Sequence, residues 1–276
     1  MIFYKTSTYG NDFIIVDQAG FSGIDSERGS FSKQICDRDN GIGSDGVVFY
    51  KTLDKGFGFI IYNSDGSRAE ISGNGMAGLS AVLFKIRGTG DELELSTDIG
   101  FRNIILKEKD KQGYIQLVDM GIPDFNKKEF FPFLISGKRE YLFKGISFVP
   151  VSTGNPHAVI FLHKREDRKV LEDLGKIVES GNIFPEKTNV EFVFPIGQRN
   201  SHNIPLVEVL FYERGAGITP FSSTGSAAVL AVLYKLGISG SSIFIKTEKE
   251  SVAITYKKKI FIESYTKIVY KGEYYE

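Results

Sequence analysis

Two short stretches of the chain, 150 positions apart, each open on a serine and repeat one another. Ser72-Gly73-Asn74-Gly75-Met76-Ala77 returns as Ser222-Ser223-Thr224-Gly225-Ser226-Ala227, and Ala81-Val82-Leu83 returns in register as Ala231-Val232-Leu233. A loop of small residues running into an apolar helix leaves backbone N–H groups without intrahelical acceptors. With the helix dipole they attract an anion. Two such loops suggest a two-fold arrangement around one anionic ligand, with Ser72 and Ser222 at its edge. Other chemistry-bearing residues stand at turns. Asn11, Asn63, Asn155 and Asn189 carry amides, and Arg214 is a fork donor suited to a carboxylate. His157 and Glu213 are the groups able to take a proton directly or from a serine. Two plainer roles stay open: asparagine in a Gly-Asn turn also tolerates left-handed backbone, and His157 also suits a hydrogen-bonded structural place.

The elements that must position these residues are mostly strands. Phe13–Val16, Phe57–Tyr62, Glu92–Ser96 and Ile104–Leu106 are short, β-rich and bounded by Gly, Asp or Asn. Ile146–Val151, His157–Leu162, Val190–Phe194 and Leu206–Tyr212 behave alike in the second half. The last forty residues read as four successive hairpin strands, Ser242–Lys246, Val252–Tyr256, Ile260–Glu263 and Ile268–Lys271. Helices are few: the two repeated segments, and the stripe of Val170, Leu171, Leu174, Ile177 and Val178. The duplication extends beyond the loops, since Tyr9-Gly10-Asn11 is echoed by Thr153-Gly154-Asn155. Two homologous halves of mixed β and α imply a cleft between domains, where ligands usually sit.

Bulk properties narrow the function classes. The chain has 276 residues, 42% hydrophobic and 25% charged, with 34 basic and 34 acidic side chains. Zero net charge offers no basic surplus for nucleic acid or an anionic membrane. No apolar run approaches the ~20 residues that span a bilayer, and the N-terminus enters a strand pattern without a signal-peptide layout. One cysteine, Cys36, excludes an intrachain disulfide and a cysteine zinc site; it reads as a buried structural thiol. The three histidines show no metal-ligand spacing. The expectation is a cytoplasmic protein with no metal and no cofactor. Many short strands and 13 tyrosines leave room for a homodimer face.

Seven ordered motifs give the chain a resemblance over nearly its whole length. They are Gly10-Asn11-Asp12-Phe13, Asp37-Arg38 with Gly41-Ile42-Gly43-Ser44-Asp45-Gly46, Asn63-Ser64-Asp65-Gly66-Ser67, Gly73-Asn74-Gly75, Gly154-Asn155-Pro156-His157, Phe184-Pro185 running to Thr188-Asn189-Val190-Glu191-Phe192, and Glu213-Arg214-Gly215-Ala216-Gly217. In these it resembles the diaminopimelate epimerase family. The resemblance implies an α/β (α+β) fold of two homologous domains, each a mixed β-sheet wrapped around a central helix, with the ligand cleft between them. The expected boundaries are residues 1-116 plus 266-276 and residues 117-265. It implies a cofactor-independent amino-acid epimerase of lysine biosynthesis acting on a diamino diacid. Asn63, Asn155, Asn189 and Arg214 would grip the distal head group, and Glu213 would hold the ammonium at the reacting carbon. Asn11 belongs to the same substrate-binding set. The backbone N–H groups of Gly73, Asn74, Ser223 and Thr224 would hold the reacting carboxylate.

In that family two cysteines exchange the α-proton, one on each face. Here their positions are Ser72 and Ser222. Ser223 stands where the family usually has glycine, and Ile218 and Phe221 also depart from its pattern. A thiol has a reference pKa near ~8.5 that a helix N-terminus lowers, whereas a serine hydroxyl needs a second base. Impaired or altered proton transfer is therefore expected. Two alternatives accompany it: a catalytically silent amino-acid-binding homologue, and a different proton shift using Glu213 or His157.

Overall fold

The computed structural model describes residues 1–88, 90–195, 197–246 and 251–275. The chain divides into two compact units, Met1–Asp119 with Glu263–Glu276, and Met120–Ile262. The first unit runs β1 (Ile2–Thr8), β2 (Asn11–Asp17), α1 (Arg28–Cys36), β3 (Gly46–Thr52), β4 (Phe57–Asn63), β5 (Arg68–Ala69), α2 (Gly73–Arg87), β6 (Glu92–Thr97), β7 (Gly100–Lys109) and β8 (Tyr114–Gly121). The second runs β9 (Tyr141–Phe143), β10 (Ile146–Ser152), β11 (Pro156–Phe161), α3 (Arg168–Glu179), β12 (Asn189–Val193), β13 (Gln198–Arg199), β14 (Pro205–Glu213), β15 (Gly217–Thr219), α4 (Ser223–Lys235), β16 (Ser242–Lys246), β17 (Ser251–Tyr256) and β18 (Ile260–Glu273). Strands β8 and β18 carry the chain from one unit into the other.

The pairing pattern is the same in both units. In the first, β1 and β2 are antiparallel, β2 and β3 parallel, β3 and β4 antiparallel, β4 and β6 parallel, β6 and β7 antiparallel. In the second, β10–β11, β11–β12, β12–β14, β14–β16 and β16–β17 repeat that order. The duplicated sequence thus folds as two repeated mixed sheets. Each has one helix of small and apolar residues enclosed at its centre. Every residue from Gly73 to Phe84 of α2 is buried, and every residue from Ser223 to Leu233 of α4. A helix without a continuous polar face over these turns has no side to give to solvent and is enclosed. The parallel pair β2–β3 shows why its strands read as continuous apolar runs: Ile14, Ile15, Val16, Val47, Val48 and Phe49 are buried on both faces.

One expectation fails at the C-terminus. Ile260–Glu263 and Ile268–Lys271 are not two strands but the two ends of the 14-residue β18. Its first part pairs with β17 and its last part with β1. The polar break between them is inside the ladder: Thr266 is buried and its hydroxyl meets that of Thr8 at 2.8 Å. A buried hydroxyl that finds a cross-strand partner does not end a strand. The Asn-turns do repeat as read, since Gly10 and Gly154 both take positive φ, 91° and 107°. Among the described residues no helix is long and apolar enough to cross a membrane.

Candidate functional site

In the first unit Ser72 is the N-cap of α2. Its backbone is extended (φ −144°), and its Oγ accepts the Gly75 N–H at 3.1 Å. Gly73 and Asn74 supply the first-turn amides, which have no acceptor within the helix. The Asn74 side chain is held, its Nδ2 donating to Asn11 Oδ1 at 3.0 Å. Asn11 Nδ2 in turn donates to Asp45 Oδ2 at 2.7 Å. Asn11 therefore uses both ends of its amide to fix Asn74 and the loop before β3. Asp45 also accepts the Asp12 N–H at 2.9 Å, and its carbonyl accepts the Ser64 N–H at 3.1 Å. Asn63 stays inside its own turn, Nδ2 donating to Ser67 Oγ at 3.0 Å. The structure so brings Asn11, Asn74 and the Asn63 turn together around Asp45.

A charged cluster supports this group. Buried Lys5 pairs with Asp12 at 2.6 Å and donates to the Gly43 carbonyl. Arg38 bridges Asp12 at 2.9 Å and Asp45 at 2.8 Å. Burial disfavours the Asp12 carboxylate, but hydrogen bonds from Lys5 and then Arg38 outweigh it, holding Asp12 below the usual carboxylate range. Asp45 is pushed up, by burial first and then by the neighbouring Asp12 charge. Cys36 lies beside the cluster, buried, its Sγ 3.0 Å from Ser44 Oγ; burial pushes the thiol up. It is a structural thiol, as read.

In the second unit Ser222 caps α4 in the same way, Oγ accepting the Gly225 N–H at 3.1 Å and lying 3.3 Å from Thr224 Oγ1. Ser222, Ser223 and Thr224 are all buried. Thr153 donates its hydroxyl to the Thr224 carbonyl at 3.2 Å, tying the Gly-Asn turn to the helix start. Asn155 Oδ1 is 2.8 Å from His157 Nε2, and His157 Nδ1 is 2.7 Å from Glu191 Oε1. His157 and Glu191 are 0% and 1% exposed. With both ring nitrogens engaged, His157 offers no free nitrogen to Ser222 within this unit; its place is to hold Asn155. Glu191 Oε2 is buried without a hydrogen-bond partner.

Asn189 is equally committed. Its Nδ2 donates to the Pro156 carbonyl at 2.9 Å and its Oδ1 accepts the Arg214 N–H at 3.0 Å. It therefore shapes the Glu213-Arg214 turn. Arg214 Nη1 donates to the Glu186 carbonyl at 3.1 Å, and Thr219 donates to Glu213 Oε1 at 2.5 Å. Among the described residues of its own unit, neither Ser72 nor Ser222 has a carboxylate or imidazole as a hydrogen-bond partner. Sequence reading missed Asp45, Asp12, Lys5, Arg38, Thr153 and Glu191 as site-shaping residues. For Glu191 a signal existed: a carboxylate between Val190 and Phe192 in an apolar strand needs a buried partner.

Two repeated units, each presenting a serine-capped helix start beside a Gly-Asn turn, define a duplicated α+β scaffold built around two anion-attracting helix ends. A sequence profile of the family "Diaminopimelate epimerase" matches residues 3–126 and 149–274, and the chain belongs to that family. It is 31% identical to the diaminopimelate epimerase of Methanococcus aeolicus over 297 aligned positions, covering 99% of this chain and 98% of the other. It is 32% identical to that of Carboxydothermus hydrogenoformans, with full coverage of both. Among solved structures, a phenazine biosynthesis protein of the PhzF family from Bacillus anthracis superimposes with a TM-score of 0.68 at 14% identity, covering 100% of this chain and 99% of that one. A hydroxyproline epimerase from Agrobacterium vitis with bound trans-4-hydroxy-L-proline gives 0.63 at 13%, covering 99% and 89%. These two show a shared fold.

Proposed function

We propose that the chain is a cofactor-independent amino-acid epimerase whose proton transfer is slowed by serine at both base positions. The family, and relatives named as epimerases, support the reaction type. The substrate class is a free amino acid with a second charged end, a diamino diacid in the first instance, as a step in lysine biosynthesis. Gly73 and Asn74 in one unit, with Ser223 and Thr224 in the other, offer first-turn amides to its reacting carboxylate. Those amides stabilise the charge that develops when the α-proton leaves. A cytoplasmic setting and a homodimer belong to the same reading.

The single observation behind the impairment is the state of the two hydroxyls. Each Oγ serves as a helix cap, and among the described residues of its unit neither is hydrogen-bonded to a base. A serine without a partner base is a weak proton acceptor at neutral pH. The same observation serves a second reading, a silent amino-acid-binding homologue. Glu213, held by Thr219, is the carboxylate available for a different proton shift. The test is proton NMR in D2O with diaminopimelate isomers, alongside calorimetry. Slow deuterium entry at an α-carbon supports the epimerase. Binding without any exchange replaces it with the binding protein, and the absence of both binding and exchange rejects this substrate class.

A further inference from the structure

The second unit holds a pocket at the far end of α4 from Ser222. The helix has 13 residues, so Lys235 at its C-terminus lies about 20 Å along the axis from the serine cap at ~1.5 Å per residue. The pocket has a volume of about 370 Å³, within the range of small-molecule sites. Among the described residues its charged lining is Lys128, Lys138, Arg139 and Lys235, with no carboxylate; Leu134, Tyr141 and Pro150 contribute apolar surface. Such a surplus is unexpected in a chain whose charges balance, 34 against 34.

Among the described residues none of these four cations takes part in an ion pair. Lys235 Nζ rests 3.7 Å from the centre of the Phe125 ring, and Lys138 Nζ 5.0 Å from that of Tyr141. These ring faces partly compensate a lysine, but they do not neutralise it. Burial, and then the Arg139 charge, push Lys235 down; the Asp124 charge opposes them more weakly. Like charges that a single nearby carboxylate, Asp124, only weakly offsets repel one another, and an anion entering the pocket relieves that repulsion.

We propose that this pocket binds a small organic polyanion, a phosphate ester or a polycarboxylate. Arg139 supplies the fork for a bidentate contact, the three lysines supply point charges, and the apolar wall receives the carbon skeleton. The site is separate from the serine-capped loops and does not depend on how they act.

The experiment is an amide NMR titration of the full chain with pyrophosphate, citrate and adenosine diphosphate, at low and at physiological salt. Saturable shifts confined to residues 125–141 and the end of α4, with a Kd of roughly 1 mM or tighter at low salt, are expected. Physiological salt weakens the binding. Pyrophosphate against citrate separates phosphate from carboxylate recognition, and adenosine diphosphate binding tighter than pyrophosphate supports the role of the apolar wall. The double variant Lys138→Glu with Arg139→Glu, on an exposed loop, loses about tenfold or more in affinity for the preferred anion. No saturable binding by any probe overturns the proposal, and so does binding that the double variant leaves unchanged.

Discussion

The two repeated loops provide an internal control, because alanine at the same loop position meets different neighbours in each unit. At Gly225 an added Cβ lies 2.6 Å from Glu191 Oε1, 2.9 Å from Phe211 Cδ1 and 3.2 Å from Glu191 Cγ. Both neighbours are fully buried, and the carboxylate cannot swing aside without losing its 2.7 Å contact with His157. Overpacking of this kind costs roughly 1–3 kcal/mol, and a strained charge-assisted hydrogen bond adds roughly 1 kcal/mol or more. Against this, alanine is favoured over glycine in a helix by at most about 1 kcal/mol. Gly225→Ala is expected to destabilise the second unit by about 2 kcal/mol. At Gly75 the same Cβ meets the methyl ends Ile61 Cδ1 at 3.1 Å and Val48 Cγ2 at 3.3 Å, and the Ser72 Cβ at 3.4 Å. Side-chain tips yield by a few tenths of an ångström, so propensity and crowding nearly cancel, to within about 0.5 kcal/mol. Urea unfolding followed by circular dichroism and tyrosine fluorescence measures both; a 2 kcal/mol loss moves a midpoint by about 0.7 M at a slope of ~3 kcal/mol/M. Equal losses at the two positions, or no loss at Gly225, would refute the placement of Glu191 beneath α4.

Removing the partner of that carboxylate should act more strongly: His157→Ala leaves buried Glu191 uncompensated and is expected to cost about 3–5 kcal/mol, and adding Glu191→Leu in a double-mutant cycle recovers part of it. Cys36 should resist a thiol reagent at pH 8 in the native protein and react as one thiol per chain in urea. Because burial raises this thiol, its contribution to stability is complete below the ordinary thiol value and is lost as pH rises through the native one. In a carboxyl carbon NMR titration Asp45 should take its proton before Asp12 on acidification. The depressed Asp12 confers stability that is present above the usual carboxylate value and lost as pH falls through its native value; Asp45, raised, contributes with the opposite sign, its cost relieved as pH falls through its native value. Identical titration of the two carboxyls would contradict the Lys5–Asp12–Arg38 arrangement.

Much of the fold was legible because the chain repeats. Paired apolar helices at Met76 and Ala227, with short strands between turn residues, carry the two units and their matching strand order. The break in β18 was misread because Ser264, Thr266 and their neighbours look like a turn until Thr8 provides a buried partner. The candidate site was read as two serine-led loops and a set of amides, and those residues stand at turns and helix starts. What spacing along the chain does not reveal is how each amide is used. Asn11 and Asn189 face inward at both ends, an arrangement made by Asp45 in one unit and by the Pro156 carbonyl and Arg214 N–H in the other. Lys5, Asp12, Arg38 and Asp45 meet only because β2 lies between β1 and β3. A linear reading has no means of seeing that contact.

The central claim is that the two serines stand where bases are required and cannot fill that role well. The direct measurement is the rate of deuterium entry at the α-carbon of diaminopimelate in D2O, for the native chain and for the variant carrying both Ser72→Cys and Ser222→Cys. A thiol at a helix N-terminus is a competent base near neutral pH. The account therefore predicts ligand affinity close to that of the native chain and exchange faster by about 10²–10⁴-fold in the variant. Exchange that stays unchanged while the ligand remains bound would contradict it.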